Sequence, residues 1–488
     1  MRQTTRSGLV ALTLAALAAG CTQLTPEQQI VADAREAMGG DALQTPTVLV
    51  IEGEGTNGNL GQDMTPEATG QTFTVTAYRR TVDLAAPRMR IEQTRTPAFT
   101  YFQGPAAQTQ VLGVDGAVGY NVAGNGTATR TPDPVARDRR AEVYHHPLTL
   151  LRTASDPAAT LTNPRTAGGE QVVDVTLAGG QTFTLAIDAS THLPTRIASM
   201  RDNPNLGDVL VETSFSDYQD VGGVRLPTRL VTKTDAFQTA ELRVSTQALE
   251  GDAGPLAAPA AAASAPPVAG PPPAKVEVTE LAKGIWLLAG QSHHSVLVEF
   301  ADHLTLIEAP QNDTRALAVI AKARELRPDK PLTHVVSTHH HFDHSGGIRA
   351  AVAEGLTVVA RKNSEAFYRD AVSRAHTIAP DALAKSAKPL SFEAVEQDTE
   401  LKDAAMAVNL LTIDGSPHAD TLLMAYFPKE RLLVEADVYS PAGNVHPFAA
   451  NLLENVTKRK LKVDRIVPIH GGVVPFEALQ KVATPPAN

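Results

Sequence analysis

The chain has 488 residues, of which 43% are hydrophobic and 20% charged, so it is long enough to bury two or three separate cores. Asp and Glu number 53 against 43 Lys and Arg, a formal charge of −10, which argues against a nucleic acid as the main partner because phosphates are neutralised by clustered cations. The single cysteine, Cys21, excludes an internal disulfide and a thiolate-rich metal site, so a metal would have to be bound by His, Asp or Glu.

Residues 1–20 predict a secretory signal, because two arginines precede an apolar run, Leu9–Leu17, that is too short for a stable membrane span. The end of this segment, Leu17-Ala18-Ala19-Gly20-Cys21, resembles the lipobox of bacterial lipoproteins. The resemblance implies that Cys21 is lipidated and anchors the protein to the periplasmic side of the outer membrane. An ordinary signal peptide, which would give a soluble periplasmic or secreted protein, stays open as the alternative.

The segment 21–250 is predicted to be a β-rich domain. An amphipathic stretch, Gln28–Met38, predicts a helix, and many short runs with period-two alternation then predict one large antiparallel sheet. The segment Phe215–Pro227 resembles a strand-turn-strand signature of the LolA-type periplasmic carriers, which implies a mainly antiparallel half-barrel with a concave apolar face. A hydrophobic ligand on that face and a role as a spacer both stay open. We expect His145 and His146 to be surface or packing residues.

Residues 251–275 consist almost wholly of Ala, Pro and Gly, a composition that predicts a semi-stiff tether between two domains that can move relative to each other. The histidines are distributed unevenly about it, with three of the 15 before the tether and twelve after it. We therefore expect the chemistry to lie in a second domain, 276–488.

In that second domain, apolar strands alternate with helical stretches, and a strand at 334–338 leads into His339-His340-His341-Phe342-Asp343-His344. Imidazoles at positions i and i+2 after a strand can point to the same side, and a carboxylate and a third imidazole follow at i+4 and i+5. Imidazole with carboxylate suits zinc, and also non-haem iron or manganese. The string therefore predicts a metal site at the end of a strand.

This H-x-H-x-D-H string closely resembles the signature of the metallo-β-lactamase-fold hydrolase superfamily, of the glyoxalase II-like type. The family's three later ligands match, in order, His418 in Ser416-Pro417-His418, Asp437 after a strand, and His470 in Ile469-His470-Gly471. The resemblance covers about 276–482. It implies an α/β fold, an αββα sandwich, with metals bound at the edge between the two sheets.

The resemblance also implies the role of each ligand. His339, His341 and His418 would bind one metal, Asp343, His344 and His470 a second, and Asp437 would bridge them. It implies two Zn²⁺ per chain, with Fe or Mn as alternatives, and a bridging hydroxide that attacks a carbonyl carbon. Asp343 would orient that hydroxide and is therefore the candidate catalytic residue. His340 is the variable residue of the motif and is expected to point away from the metals.

An aspartate at position 437 favours hydrolysis of an ester, thioester, lactone or amide bond in a small-molecule substrate over an antibiotic hydrolase, because true β-lactamases usually carry Cys or Ser at the matching place. Two alternatives stay open. The first is an iron oxygenase of the persulfide dioxygenase type, with one Fe bound by His339, His418 and Asp437. The second is a non-catalytic periplasmic protein that binds lipid or maintains the envelope.

The sequence departs from the family pattern at two places. Glu308 stands where the family has an early Asp. We expect it either to support the loops that carry the metal ligands or simply to lie among the residues that surround those ligands. His293-His294 stands where relatives often have Asn, and one of the two is a candidate for the active-site groove, with a structural role as the alternative. Tyr368 is expected either to contact the substrate or to lie on the surface.

Overall fold

The computed structural model describes residues 24–68, 72–99, 106–251, 253–271 and 273–483. The predicted signal segment and Cys21 lie outside the described residues. Within these ranges, no helix combines the length and the apolar character that a membrane crossing requires.

The N-terminal domain contains one thirteen-stranded sheet in which every pair of neighbouring strands is antiparallel. Its strands are β1 (Val48–Gly58), β2 (Thr72–Asp83), β3 (Arg88–Pro97), β4 (Gln108–Asp115), β5 (Val118–Val122), β6 (Ala128–Arg130), β7 (Thr160–Ala167), β8 (Glu170–Thr176), β9 (Thr182–Asp188), β10 (Pro194–Asn203), β11 (Gly207–Val221), β12 (Val224–Thr234) and β13 (Phe237–Ala248). The order is β6-β5-β4-β3-β2-β1-β13-β12-β11-β10-β9-β8-β7, so hairpin neighbours in sequence stay neighbours in space and β1 pairs with β13. The prediction of one large antiparallel sheet is confirmed.

Three helices pack against this sheet: α1 (Pro26–Met38), α2 (Asp133–Val143) and α3 (Pro147–Ala154). The helix predicted at 28–38 forms, and it begins two residues earlier because Thr25 and Gln28 make a capping box and proline is favoured in the first turn. A single hydrophobic core lies between the helices and one face of the sheet.

The segment predicted to be a tether packs against the N-terminal domain instead. It contains α4 (Ala260–Ser264), and both Leu256 and Ala262 are buried. The Arg130 guanidinium donates to the Ala265 carbonyl at 2.9 Å. The prediction of a semi-stiff tether did not include this packing, in which small apolar side chains, although too few to form a core of their own, add to an existing one.

The second domain contains two sheets. The first comprises β14 (Glu277–Ala282), β15 (Ile285–Ala289), β16 (Ser295–Glu299), β17 (Leu304–Ile307), β18 (Leu332–Val336), β19 (Thr357–Arg361) and β20 (Phe392–Val395), in that order. The second comprises β21 (Thr399–Lys402), β22 (Ala407–Thr412), β23 (Leu423–Phe427), β24 (Leu432–Glu435), β25 (Arg465–Pro468) and β26 (Val474–Pro475). The helices are α5 (Asp313–Leu326), α6 (Phe342–Ser345), α7 (Ile348–Ala353), α8 (Glu365–Ser373), α9 (Ala382–Ser386), α10 (Ala449–Lys458) and α11 (Phe476–Ala483).

Alternation of side chains along the strands produces three separate cores and hence four layers. In β16, Val296 and Val298 join the core between the two sheets, while Leu297 faces the core beneath α5, α7 and α9. In β23, Leu423 and Ala425 face the first sheet, while Met424 faces α10 and α11. The predicted αββα sandwich is confirmed.

The two domains contact each other through hydrogen bonds, an ion pair and an apolar cluster. The Arg374 guanidinium pairs with Asp235 at 2.8 Å, and the Asp208 amide donates to the Ala375 carbonyl at 2.8 Å. A small apolar cluster that includes Leu206 contacts the ring of Phe342, inside the metal-binding motif. The β domain therefore contacts the sandwich domain next to its candidate site.

Candidate metal centre

The candidate ligands lie in loops at one end of the two sheets. Strands β17 and β18 run parallel, as do β24 and β25, so the carboxyl ends of each pair lie at the same edge. Strand β18 leads to the 339–344 motif, β24 to Asp437 and β25 to His470. The His294 amide donates to the Ile469 carbonyl at 3.0 Å and joins the two edges.

A first cluster contains His339, His341, His418 and Asp437, with one ligand atom of each residue within 4.8 Å of the others. The His339 Nε2 and His418 Nε2 atoms are 3.4 Å apart. The Asp437 Oδ2 atom lies 3.1 Å from His418 Nε2 and 3.7 Å from His339 Nε2. These residues are the three histidines that the resemblance assigns to the first metal, together with the bridging aspartate.

A second cluster contains His293, Asp343, His344 and His470 within the same limit. The His344 Nε2 and His470 Nε2 atoms are 3.2 Å apart, and His293 Nε2 lies 3.1 Å from Asp343 Oδ2. Three of the four are the residues predicted for a second metal. His293 is the additional member, and it is the histidine of the 293–294 pair that faces the groove, while His294 accepts from the Gly290 amide at 3.3 Å.

Asp437 lies between the clusters and offers one carboxylate oxygen to each. Its Oδ2 atom faces the first cluster, and its Oδ1 atom lies 3.2 Å from His344 Nε2 and 2.9 Å from His470 Nε2. The residue has a φ of +65°, which is uncommon for a residue other than glycine and costs of order 1–3 kcal/mol. Such strain persists where the surrounding structure holds a functional side chain in place.

The donors fit a divalent metal. A tetrahedral zinc ion with Zn–N bonds of about 2.05 Å has N···N edges of about 3.3 Å, close to the separations of the paired Nε2 atoms in the two clusters. The buried Nδ1 atom of His341 has no hydrogen-bond partner within the part of the chain that the structure describes. A metal in the first cluster would give this nitrogen a partner.

Glu308 contacts His344 at Nδ1, while the Nε2 atom of the same ring is the one near His470. Its Oε2 atom lies 2.9 Å from His344 Nδ1, its Oε1 atom accepts from the Thr338 amide at 2.7 Å, and both side chains are fully buried. A carboxylate on the far nitrogen of a ligand histidine fixes the tautomer and leaves Nε2 free for a metal. The expectation that Glu308 supports the metal loops agrees with this contact.

The charged and titratable groups of the two clusters influence one another. Burial lowers the pKa of His339 well below 6.5, so this ring is neutral at pH 7 and ready to bind a metal. Burial also lowers the pKa of His344, but Asp437 and Glu308 outweigh it and raise that pKa well above 6.5. A bound metal would therefore have to displace a proton from His344.

Two further predicted residues lie outside the clusters. His340 turns away, with its Nδ1 atom 2.7 Å from Thr421 Oγ1. Tyr368 is fully buried and its hydroxyl donates to Ser337 Oγ at 2.7 Å and to the His339 carbonyl at 3.1 Å, so it positions the motif rather than contacting substrate or the surface.

Sequence reasoning missed a contribution from the N-terminal domain. The Gln62 amide donates to Asp343 Oδ1 at 2.6 Å, across 281 positions of sequence. Gln62 lies in an ordinary polar loop between β1 and β2, and no motif surrounds it. The sequence therefore carries no local signal for this contact.

The αββα layers and the His/Asp clusters at the sheet edge define the class, a sandwich domain with a candidate metal site. Residues 288–470 match the family model of the metallo-beta-lactamase superfamily, and this part of the chain is a domain of that superfamily. It thus has the fold and the donor set of a metal-dependent hydrolase.

Several solved structures are similar to this chain. A metallo-beta-lactamase from Hirschia baltica is 17% identical over 43% of this chain and 96% of its own, with a TM-score of 0.33. FIM-1 from Pseudomonas aeruginosa, in a mono-zinc form, is 17% identical over 43% and 93%, with a TM-score of 0.33. TMB-1 is also 17% identical, over 43% and 95%, with a TM-score of 0.33.

Proposed function

We propose that the protein is an exported dinuclear zinc hydrolase that cleaves an ester, thioester, lactone or amide bond of a small molecule. The observation that carries the proposal is the position of Asp437, with one oxygen toward each of two histidine clusters. Iron or manganese could bind the same donors, because imidazole and carboxylate suit all three metals.

The ligand roles follow from the two clusters. We assign His339, His341 and His418 to one metal, Asp343, His344 and His470 to the other, and Asp437 to both. The close approach of Nε2 atoms within each cluster supports this division, since a divalent ion between two such nitrogens could accept both lone pairs. His293 belongs to the second cluster by position and contacts Asp343.

Divalent ions bound here would supply an acidified water as nucleophile and polarise the substrate carbonyl. The protein's own task is to place that water, and Asp343 is the residue for it. Its side chain is 35% exposed, against 12% for Asp437, so it is the carboxylate of the site most open to the groove. Gln62 and His293 contact one oxygen each, which fixes the orientation of the carboxylate.

Turnover on a panel of esters, thioesters, lactones and β-lactams tests the proposal. A chelator should abolish turnover and added Zn²⁺ should restore it. His418→Ala should remove turnover, whereas the matched control His303→Ala, in the same domain but stacked on Phe300 outside both clusters, should keep it. Turnover that survives complete metal removal would contradict the proposal.

We further propose that Cys21 anchors the mature protein by lipid to the periplasmic side of the outer membrane. The resemblance of 17–21 to a lipobox supports this. Cys21→Ser should move the protein from the membrane fraction to the soluble fraction. The mature N-terminal peptide should then be lighter by the mass of the attached lipid. A variant that stays in the membrane fraction would contradict the anchor.

We also propose that the β domain binds a ligand with an apolar body. A cavity of about 480 Å³ is lined by apolar side chains such as Ile91 and Leu112, together with polar ones such as Arg80 and Gln93. Solvent extraction and mass spectrometry of the purified chain would detect a bound lipid. Bound lipid together with no turnover on the whole panel would favour the non-catalytic alternative, and an empty cavity after membrane extraction would contradict this part of the proposal.

A further inference from the structure

The loop 59–68 between β1 and β2 leaves the β domain and reaches the candidate metal centre. Four consecutive residues in it each form a hydrogen bond with the sandwich domain. These bonds join the Gly61 carbonyl to the Phe342 amide (3.0 Å), the Gln62 side chain to Asp343 Oδ1 (2.6 Å), the Asp63 carbonyl to His341 Nε2 (2.8 Å) and the Met64 carbonyl to the Asp420 amide (3.0 Å). Two of the four partners are proposed metal ligands.

The contact with His341 decides which of its ring nitrogens can bind a metal. A backbone carbonyl only accepts hydrogen bonds, so His341 Nε2 must carry the proton that points at Asp63. In the neutral ring, the lone pair then lies on Nδ1, which is buried and has no hydrogen-bond partner among the described residues. The β domain thus sets the tautomer of a ligand in the other domain, as carboxylates and carbonyls do in known metal sites.

Phe342, which lies between the proposed ligands His341 and Asp343, also contacts the β domain. The carbonyl of Phe342 accepts from the Asn205 side chain at 3.2 Å, and its ring packs against an apolar cluster of the β domain. Gly61 has a φ of +79°, and a Cβ atom added to it would lie 2.2 Å from the Phe342 ring. The loop therefore fits against the motif only with glycine at this position.

We propose that the β domain is a working part of the metal centre: loop 59–68 orients His341 and Asp343, and Gln62 is a positioning residue for the metal ligands. This inference rests on the proposed function, because it concerns the same metals. It means that the affinity of the sandwich domain for metal depends on side chains of the other domain.

The first test compares Gln62→Ala with Gln247→Ala in the full chain, by Zn²⁺ titration of metal-free protein against a chromophoric chelator. Gln247 makes a similar amide-to-carbonyl bond, to Pro227 at 3.1 Å, but far from the site. Outer partners of metal ligands typically contribute 10- to 100-fold in affinity, so Gln62→Ala should weaken Zn²⁺ binding by about that factor. Gln247→Ala should bind as the wild type does.

The results separate this inference from the proposed function. A wild-type chain that binds no metal would contradict the proposed function, and the inference with it. A wild-type chain that binds two Zn²⁺ while Gln62→Ala binds them equally tightly would overturn the inference alone.

The second test replaces Gly61 by alanine and uses Gly180→Ala as its control. Both glycines have nearly the same φ, +79° and +82°, but a Cβ at Gly180 meets nothing within 4 Å. Both substitutions therefore introduce a similar backbone strain, and only Gly61→Ala should also weaken Zn²⁺ binding. Equal Zn²⁺ affinity in the two variants would overturn the role of the loop.

A third measurement does not depend on substitutions. Binding energies are reciprocal, so a loop that favours metal binding must itself be ordered by the metal. Zn²⁺ should slow amide hydrogen exchange in the peptide 59–68 of the wild-type chain, and leave the turn at 177–181 unchanged. Unchanged exchange in 59–68 with Zn²⁺ bound would overturn the coupling.

Discussion

Replacing Glu308 by glutamine should weaken metal binding although the side chain keeps its size. Both carboxylate oxygens accept a hydrogen bond, Oε1 from the Thr338 amide and Oε2 from His344 Nδ1. Glutamine has one acceptor oxygen and one NH₂ group, so the NH₂ group must face one of the two donors. In one orientation of the glutamine, His344 Nδ1 loses the acceptor that fixes its tautomer. In the other orientation, the Thr338 amide loses its acceptor.

The size of the effect follows from the burial of the pair. His344 and Glu308 are each fully buried, so water cannot replace the lost partner. A buried donor without an acceptor costs about 1–3 kcal/mol, which should appear as a lower free energy of unfolding of the metal-free chain. For the metal, removal of such a partner typically costs 10- to 100-fold in affinity, or about 1.4–2.7 kcal/mol.

Competition titration of Zn²⁺ against a chelator, on metal-free wild type and Glu308→Gln, measures the affinity. Glu299→Gln is the control, because Glu299 also ends a strand of the sandwich domain but pairs with Lys330 at 2.6 Å, outside both clusters. The control should bind Zn²⁺ as the wild type does. Wild-type affinity in Glu308→Gln would refute the reasoning that this carboxylate orients a metal ligand.

Three further predictions concern other sites. Burial lowers the pKa of His146 from 6.5 to about 3, so the unfolded chain binds the proton more tightly and stability falls as the pH drops below 6.5, by about 2 kcal/mol at pH 5. His146→Asn keeps a helix-capping side chain without this titration, and calorimetry at pH 7 and pH 5 should show a smaller loss than in the wild type. Asp437→Ala should lower metal content and activity together, and full activity with two bound metals would contradict its bridging role. Tyr368→Phe should lower the free energy of unfolding by about 0.5–1.5 kcal/mol and leave KM unchanged, because the lost hydroxyl donates to Ser337 and not to substrate; a raised KM with unchanged stability would reverse that assignment.

The part of the site that is local in sequence was predictable from the residues. The 339–344 string follows a predicted strand, and its imidazole and carboxylate side chains were enough to predict a metal site at the end of that strand. Its place at the edge between two sheets came from the family resemblance. The later ligands, such as His418 and His470, carry weak signals alone, and only the family resemblance connected them with the motif. The structure places them in two clusters with the motif residues.

The contacts between the domains could not be predicted. Gln62 looks like any polar loop residue, and its contact with Asp343 depends on how two folded domains pack. The packing of the linker could not be predicted for the same reason. Its composition shows that it cannot form a core of its own, but it does not show that Leu256 and Ala262 are buried. His145 was expected to be a surface or packing residue, and it is buried between Thr213 and Ser199.

The central claim is that this chain binds two metal ions in adjacent clusters joined by Asp437. Elemental analysis of the purified full chain for zinc, iron and manganese tests it most directly. We predict two zinc ions per chain, and loss of metal in Asp437→Ala. One iron per chain, bound by the first cluster alone, or no metal at all, would contradict the account.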